Sequence, residues 1–203
     1  MKNDLNKLLD FVRFTHEIRN VQRAVLLETK ERHENDAEHG YQLALVTWFL
    51  LDKHKLKLDK YRCVGMAMVH DIAEAYAGDT TAFASAKERA AHEKREKEAI
   101  VRLQKEWPEF TSMHNLISEY EKHETPEGKF VYALDKLMPI INNYLYEGKV
   151  WRKEGRTLAH MKKIKEGKIE PSPIVEGYYQ ELVKILEQRP ELFGKPGQNW
   201  GEL

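Results

Sequence analysis

His39, the adjacent pair His70-Asp71, and Asp135 stand in the order His…His-Asp…Asp, and all four side chains are divalent-metal ligands in kind. Imidazole and carboxylate suit borderline-to-hard cations, and four such groups leave room for water or substrate in the coordination shell. A lone His-Asp dipeptide arises often by chance. Here it ends a very apolar run, with His39 upstream and Asp135 downstream on segments equally rich in apolar residues. A charged side chain in such a setting is costly unless it is paired or metal-bound. Glu74 follows His70 by four residues, so it is expected on the same helix face one turn further on. There it could take a proton from an attacking water or give one to a leaving group. Asp79, just past Gly78, could do the same from a loop, or it could be a simple turn residue. Arg19, Arg23 and Arg32 are candidates for an anion contact, since guanidinium suits phosphate oxygens. His16, His54, His92, His114, His123 and His160 lie in polar surroundings and read as solvated, with His92 and His123 in reserve for a second ion. His33 sits in a charged loop.

Almost every segment that must position these residues reads as helix. Leu5, Leu8, Leu9 and Val12 fall at helical spacing behind Asn3 or Asp4 as a cap. A looser stretch holds Arg19, Arg23 and Val25 to Leu27. Asn35 or Asp36 then caps a helix that is apolar nearly all round and is therefore expected at the centre, with His39 in its first turn. Asp59 opens the helix that carries Cys63 to His70, with Gly78 as its stop. Ser85 to Glu88 has capping-box spacing and starts a long charged helix ended by Pro108. A shorter helix runs from Phe110 to Tyr120. Thr125-Pro126 opens the helix that bears Asp135, with Pro139 a predicted kink, and Ser172-Pro173 opens the last strong helix. The tail after Pro190 is expected to lie over the body. No sustained alternating strand, repeat or linker is evident. The expectation is an all-α single domain over 1–203, a bundle of about seven to nine helices, with its motifs within about 10–150 and C-terminal helices within 155–190.

Lysine plus arginine equals aspartate plus glutamate, 33 each, so formal net charge is zero. That balance gives no overall pull towards nucleic acid or anionic membrane. Cys63 is the sole cysteine, which excludes an internal disulfide and suits a reducing compartment. Neither a signal-peptide core nor an apolar run of membrane-spanning length is evident, and a cytoplasmic protein is expected.

At these residues the chain resembles the HD-domain metal-dependent phosphohydrolases. Glu34-Asn35-Asp36-Ala37-Glu38-His39 is similar to the family's first-ligand motif, His70-Asp71-Ile72-Ala73-Glu74 to its namesake motif, and Ala133-Leu134-Asp135-Lys136-Leu137 to its last-ligand motif. Gly78-Asp79 and Thr125-Pro126-Glu127 look like the small 5′-deoxynucleotidase-like branch. The resemblance implies an HD-type helical bundle in which His39, His70, Asp71 and Asp135 bind one divalent ion (Mn, Co, Mg, Zn, Ni or Fe). It implies that Glu74 acts on the nucleophilic water, that Asp79 assists near the leaving group or sugar, and that Arg23 contacts phosphate. The branch usually has an aromatic residue close after this arginine, where this chain has Ala24-Val25-Leu26. The expected activity is metal-dependent hydrolysis of (deoxy)nucleoside 5′-monophosphates, with a small nucleotide as partner and no nucleic acid or membrane. The resemblance also implies a homodimer, which aromatic residues near the C-terminus permit. One alternative is another HD-type hydrolase, acting on triphosphates, alarmones or cyclic nucleotides. Another is a non-catalytic metal- or nucleotide-binding regulator, which would need neither Glu74 nor Asp79.

Overall fold

The computed structural model describes residues 2–27, 32–81 and 84–195. It is a helical bundle, as expected, with one small strand pair that sequence periodicity did not reveal. The order is α1 (Lys2–Ile18), β1 (Gln22–Leu26), β2 (His33–Asn35), α2 (Asp36–His54), α3 (Lys60–Val69) and α4 (Glu74–Ala77). Then follow α5 (Ala86–Glu106), α6 (Thr111–Lys122), α7 (Pro126–Leu145), α8 (Lys149–Lys153), α9 (Leu158–Lys165) and α10 (Pro173–Glu187), with a 3₁₀ turn at Pro190–Leu192.

The strands pair antiparallel, with Gln22 opposite Asn35 and Leu26 opposite His33. Five and three residues are too few to establish an alternating pattern, so the pair reads as loop in sequence. Its consequence is positional. Pairing lays Arg23 alongside the segment that feeds straight into α2. Asn35, not Asp36, caps that helix: its side chain accepts from the Glu38 amide at 3.0 Å, and Glu38 accepts from the Asn35 amide at 3.1 Å.

Helix α7 is the centre of the main core. Phe130, Val131, Leu134, Leu137, Met138 and Ile140 are all buried along it, and α3, α6, α2 and α10 pack around it. Thr125 caps it, Pro126 occupies its first turn, and the helix runs through Pro139 without a break. A second cluster joins Phe14 of α1, Ala99 and Leu103 of α5, Trp107, and Met113 and Ile117 of α6.

Three expectations are corrected. Helix α1 is already under way at Lys2, so neither Asn3 nor Asp4 caps it. Its Leu5, Leu8, Leu9 and Val12 are exposed, while Phe14 turns inward. The helix of His70 does not continue to Gly78: α3 ends at Val69 and α4 begins at Glu74. Helix α2 is central on one face only, where Leu43, Ala44, Thr47, Leu50 and Leu51 are buried, and it leaves Tyr41, Leu45, Trp48 and Phe49 exposed.

Helices α8 and α9 close one side of the bundle. Gly148 precedes α8 at φ +63°, and a Cβ there would lie 2.1 Å from the Leu192 carbonyl oxygen. Only glycine suits both the left-handed backbone and that approach. The chain after Pro190 does pack back as expected: Leu192 is buried, and Phe193 stacks on Trp151 with ring centroids 4.8 Å apart.

Candidate metal centre

His39 is the fourth residue of α2, His70 closes α3, and Asp135 lies mid-way along α7. Packing of α2 and α7 against α3 brings one donor atom of each within 4.8 Å of the others, in a buried group. His39 Nε2 and Asp135 Oδ1 are 2.9 Å apart, and His70 Nε2 is 3.6 Å from the same oxygen. Asp71 Oδ2 lies 2.9 Å from His70 Nε2 and 3.9 Å from His39 Nε2. The four residues singled out by type and order therefore converge from α2, α7 and the turn that follows α3.

Each donor is oriented by a further group. His70 Nδ1 lies 3.0 Å from the Ala67 carbonyl. A carbonyl only accepts, so Nδ1 carries the proton and Nε2 faces the cluster. Asp135 Oδ2 accepts from the Tyr120 hydroxyl and from Lys136 Nζ, each at 2.6 Å, which leaves Oδ1 for the centre. His39 Nδ1 faces the buried Glu34 carboxylate at 3.6 Å.

Two observations fit a divalent cation. First, His70 Nε2 is buried and makes no hydrogen bond of acceptable geometry, although the Asp71 oxygen is within reach. His39 Nε2 pairs with Asp135 Oδ1, whereas His70 Nε2 points into the same cluster with its hydrogen-bonding capacity unused, as a ligand atom would. Second, the charge is unbalanced. Burial opposes the His70 imidazolium, but Asp71 and Asp135 outweigh it and pull its pKa up to about 10. Burial, then the Asp71, Asp36 and Asp79 charges, push the Glu74 carboxyl far above the usual range. Burial likewise lifts Asp36 to about 6 despite Arg23 beside it. Protons are retained where a cation would compensate the carboxylates.

Glu74 is buried, but not as expected. Because the helix breaks after Val69, Glu74 heads α4 and groups with Asp36 and Asp71, whose oxygens lie within 4.8 Å of one another. Asp71 is thus a wall shared by two carboxylate-bearing groups. Arg23 is held there as well: its Nη1 donates to Asp36 Oδ1 at 2.9 Å and to Asp71 Oδ2 at 2.6 Å. Asp79 lies with Thr80 beside Arg23, at the edge of a cavity between β1 and α7 to α9. Arg32 belongs elsewhere, paired with Glu38 on the surface. Of the reserve histidines, His123 stacks on Tyr132 at 4.2 Å and His92 faces Glu96 at 3.9 Å.

Four residues at the centre escaped sequence reasoning as contributors: Glu34, Asp36, Tyr120 and Lys136. Glu34 and Asp36 flank the cap and read as loop and cap residues. The buried middle position of β2 is Glu34, a signal that a three-residue strand cannot carry alone. Tyr120 looks like one more member of the apolar face of α6, and nothing in sequence distinguishes its hydroxyl.

The profile of the HD domain family matches residues 15–175. The chain is 32% identical over 143 residues to the 5′-deoxynucleotidase HDDC2 of Homo sapiens, covering 69% of this chain and 68% of that protein. It is 29% identical over 164 residues to the 5′-deoxynucleotidase hdd1 of Schizosaccharomyces pombe, covering 78% and 79%. The structure is similar to that of a predicted metal-dependent phosphohydrolase from Magnetospirillum magnetotacticum, with TM-score 0.80, 31% identity, and coverage of 94% of this chain and 95% of that one. With the family profile spanning most of the chain, and His39, His70 and Asp135 brought together at one buried centre with Asp71 beside them, the protein belongs to the HD domain family.

Proposed function

We propose that this chain is a metal-dependent phosphomonoesterase that hydrolyses (deoxy)nucleoside 5′-monophosphates to nucleoside and phosphate. The observation that carries the reading is the convergence of His39, His70 and Asp135 donor atoms, with Asp71 alongside, next to a buried acidic group and one arginine. The kinship with proteins named 5′-deoxynucleotidases supports the substrate class. His39, His70, Asp71 and Asp135 would hold one divalent ion, of the Mn, Co, Mg, Zn, Ni or Fe type. When bound, such an ion polarises a phosphate oxygen and lowers the pKa of coordinated water towards neutrality.

The chain's own residues do the rest. With a cation compensating the neighbouring carboxylates, Glu74 would be ionised, and its buried Oε2, which lacks a hydrogen-bond partner, would then be free to take the proton of the attacking water. Arg23 exchanges its Asp36 and Asp71 contacts for phosphate oxygens, a bidentate match that a lysine could not give. Asp79 stands on the cavity side, where the departing nucleoside oxygen and sugar would lie.

The chain is proposed to act as a single domain over 1–203 and as a homodimer in the cytoplasm. Among the described residues no helix is long and apolar enough to cross a membrane, and Cys63 is a free, buried thiol. The expected C-terminal aromatic surface is not the support for a dimer, because Tyr179 is buried and Phe193 is packed on Trp151. The support is the exposed face of α2 and α3, with Tyr41, Leu45, Trp48, Phe49, Tyr61 and Met68.

The test pairs metal analysis with a substrate panel. Purified protein is expected to hold about one divalent ion per chain and to cleave monophosphates faster than triphosphates or cyclic nucleotides. Glu74→Gln should keep the metal and lose turnover by roughly 10²–10⁴-fold, the span of general acid–base catalysis. Asp135→Ala should lose metal and activity together. Full metal content in Asp135→Ala, or consumption of triphosphates alone, overturns the reading.

A further inference from the structure

Beside the metal centre, β1, α7, α8 and α9 enclose a cavity of about 100 Å³. Its walls are mostly apolar: Ile140 from α7, Trp151 from α8, and Met161 and Ile164 from α9. Arg23 and Asp79 form its side towards the metal ligands, and Arg23 itself bonds Asp71. A group seated in the cavity could therefore belong to the same molecule as a phosphate at the centre.

Two polar side chains sit among these apolar walls. Asn143 is buried, and its Nδ2 donates to the Pro139 carbonyl at 2.8 Å. Because a carbonyl only accepts, the amide cannot be turned round, and Oδ1 must face the other way. That oxygen is buried with no hydrogen-bond partner. Lys165 is 8% exposed, and no described residue accepts a hydrogen bond from its Nζ. Leaving the buried Asn143 oxygen unpaired is costly, and Lys165 lines the same cavity without a protein acceptor, so a ligand seated there would complete both. Burial also lowers the Lys165 pKa to about 7, consistent with an amine that is not held by a carboxylate.

We propose that this cavity is a subsite for a pyrimidine base, with Asn143 Oδ1 accepting from the N–H or amine edge of the base and Lys165 Nζ donating to the neighbouring acceptor. The inference rests on the nucleoside-monophosphate reading above. Thymine and uracil offer N3–H beside a carbonyl, and cytosine offers its exocyclic amine beside N3. Size chooses between base classes: an apolar cavity of about 150 Å³ takes one benzene ring. The space here, about 100 Å³, is smaller than that, so it takes in only the edge of one six-membered ring, and the fused rings of a purine would stand further out of its mouth. Ala24, at the position after Arg23, lines the same space with only a methyl group.

The experiment compares kcat/KM for dTMP, dCMP, dAMP, dGMP and base-free 2-deoxyribose 5-phosphate, in the parent and in Lys165→Met and Asn143→Ser. Binding of free thymidine, deoxycytidine and deoxyadenosine is followed by ligand-observed NMR. The parent should favour the two pyrimidine nucleotides over purine and base-free substrates by about tenfold or more, the factor expected of a hydrogen bond to a charged group. Thymidine and deoxycytidine should bind, and deoxyadenosine should not. Each substitution should remove most of the pyrimidine advantage and leave deoxyribose 5-phosphate within about twofold. Equal rates for all bases, or an equal loss on deoxyribose 5-phosphate (Lys165 then serving the phosphate), overturns the subsite while leaving the nucleotidase reading intact. Nucleoside binding without hydrolysis of any monophosphate does the reverse.

Discussion

Asp135 shows how one side chain is divided between structure and chemistry. Oδ2 is saturated by Tyr120 and Lys136 at 2.6 Å each, while Oδ1 faces the two histidines. Burial opposes its charge, but Lys136 and the histidines outweigh burial and hold the carboxyl well below its ordinary range. Lys165 is the opposite case, a cation without a counter-charge in contact. Its pKa falls from 10.5 to about 7 because burial disfavours the charge. Between those two values the unfolded chain binds the extra proton, so stability should rise with pH across that window. Below pH 7 both states are protonated and the folded state carries the whole cost. Lys165→Met should therefore raise the melting temperature at pH 6, with the gain shrinking as pH approaches 10.5. Thermal scans of parent and variant across that range check this, and a gain independent of pH would show that Lys165 is not buried as a cation.

The centre depends on how its elements start and stop. Asn35 ends β2 and caps α2, so a single residue fixes both Arg23, through strand pairing, and His39, through the first turn. Asn35→Ala should cost about 1 kcal/mol of stability, the typical value for a lost cap. It should also weaken metal retention, because His39 lies within the turn that frays. Denaturant unfolding and metal titration on one preparation measure both, and a stability loss with unchanged metal affinity would separate the cap from the site. The break between α3 and α4 matters in the same way. It carries His70 and Asp71 to the cluster, and then redirects the chain so that Glu74 faces Asp36 and Asp71. The caps Ser85 and Thr125 were legible in sequence, and that of α2 to within Asn35 or Asp36, because capping is local chemistry within three residues. The break and the strand pair were not, because each follows from contacts with segments far along the chain.

The molecule as a whole leaves a broad apolar surface uncovered. Tyr41, Leu45, Trp48 and Phe49 of α2 and Tyr61 and Met68 of α3 are all exposed. Several of them line one shallow concavity with the end of α1. Contiguous apolar surface of this kind marks an interaction site more often than a free face. Sedimentation of the purified chain should give the mass of two copies. Leu45→Glu combined with Trp48→Glu should give one copy with the helical circular dichroism unchanged, since both residues point away from the core. A parent that sediments as a single chain removes the dimer reading.

Residue type and order pointed to His39, His70, Asp71 and Asp135 as candidates, because metal-ligand chemistry is written in the side chains themselves; only folding gathers His39, His70 and Asp135 into one group and places Asp71 between it and Asp36 and Glu74. Helical periodicity was enough for the all-α class, because an apolar face repeats along the chain wherever a helix is buried. Periodicity does not say which apolar face is buried, so α1 and α2 were misjudged: a Leu or Trp at helical spacing looks the same against a core and against an unoccupied surface. The roles of Glu34, Asp36, Tyr120 and Lys136 were likewise decided only by folding. A carboxylate becomes a partner of Arg23, and a tyrosine hydroxyl a partner of Asp135, only when helices distant in sequence meet. The cavity beside the centre is the clearest case. Its polar pair, Asn143 and Lys165, lies on α7 and α9, and is unusual solely because packing has buried both among apolar walls.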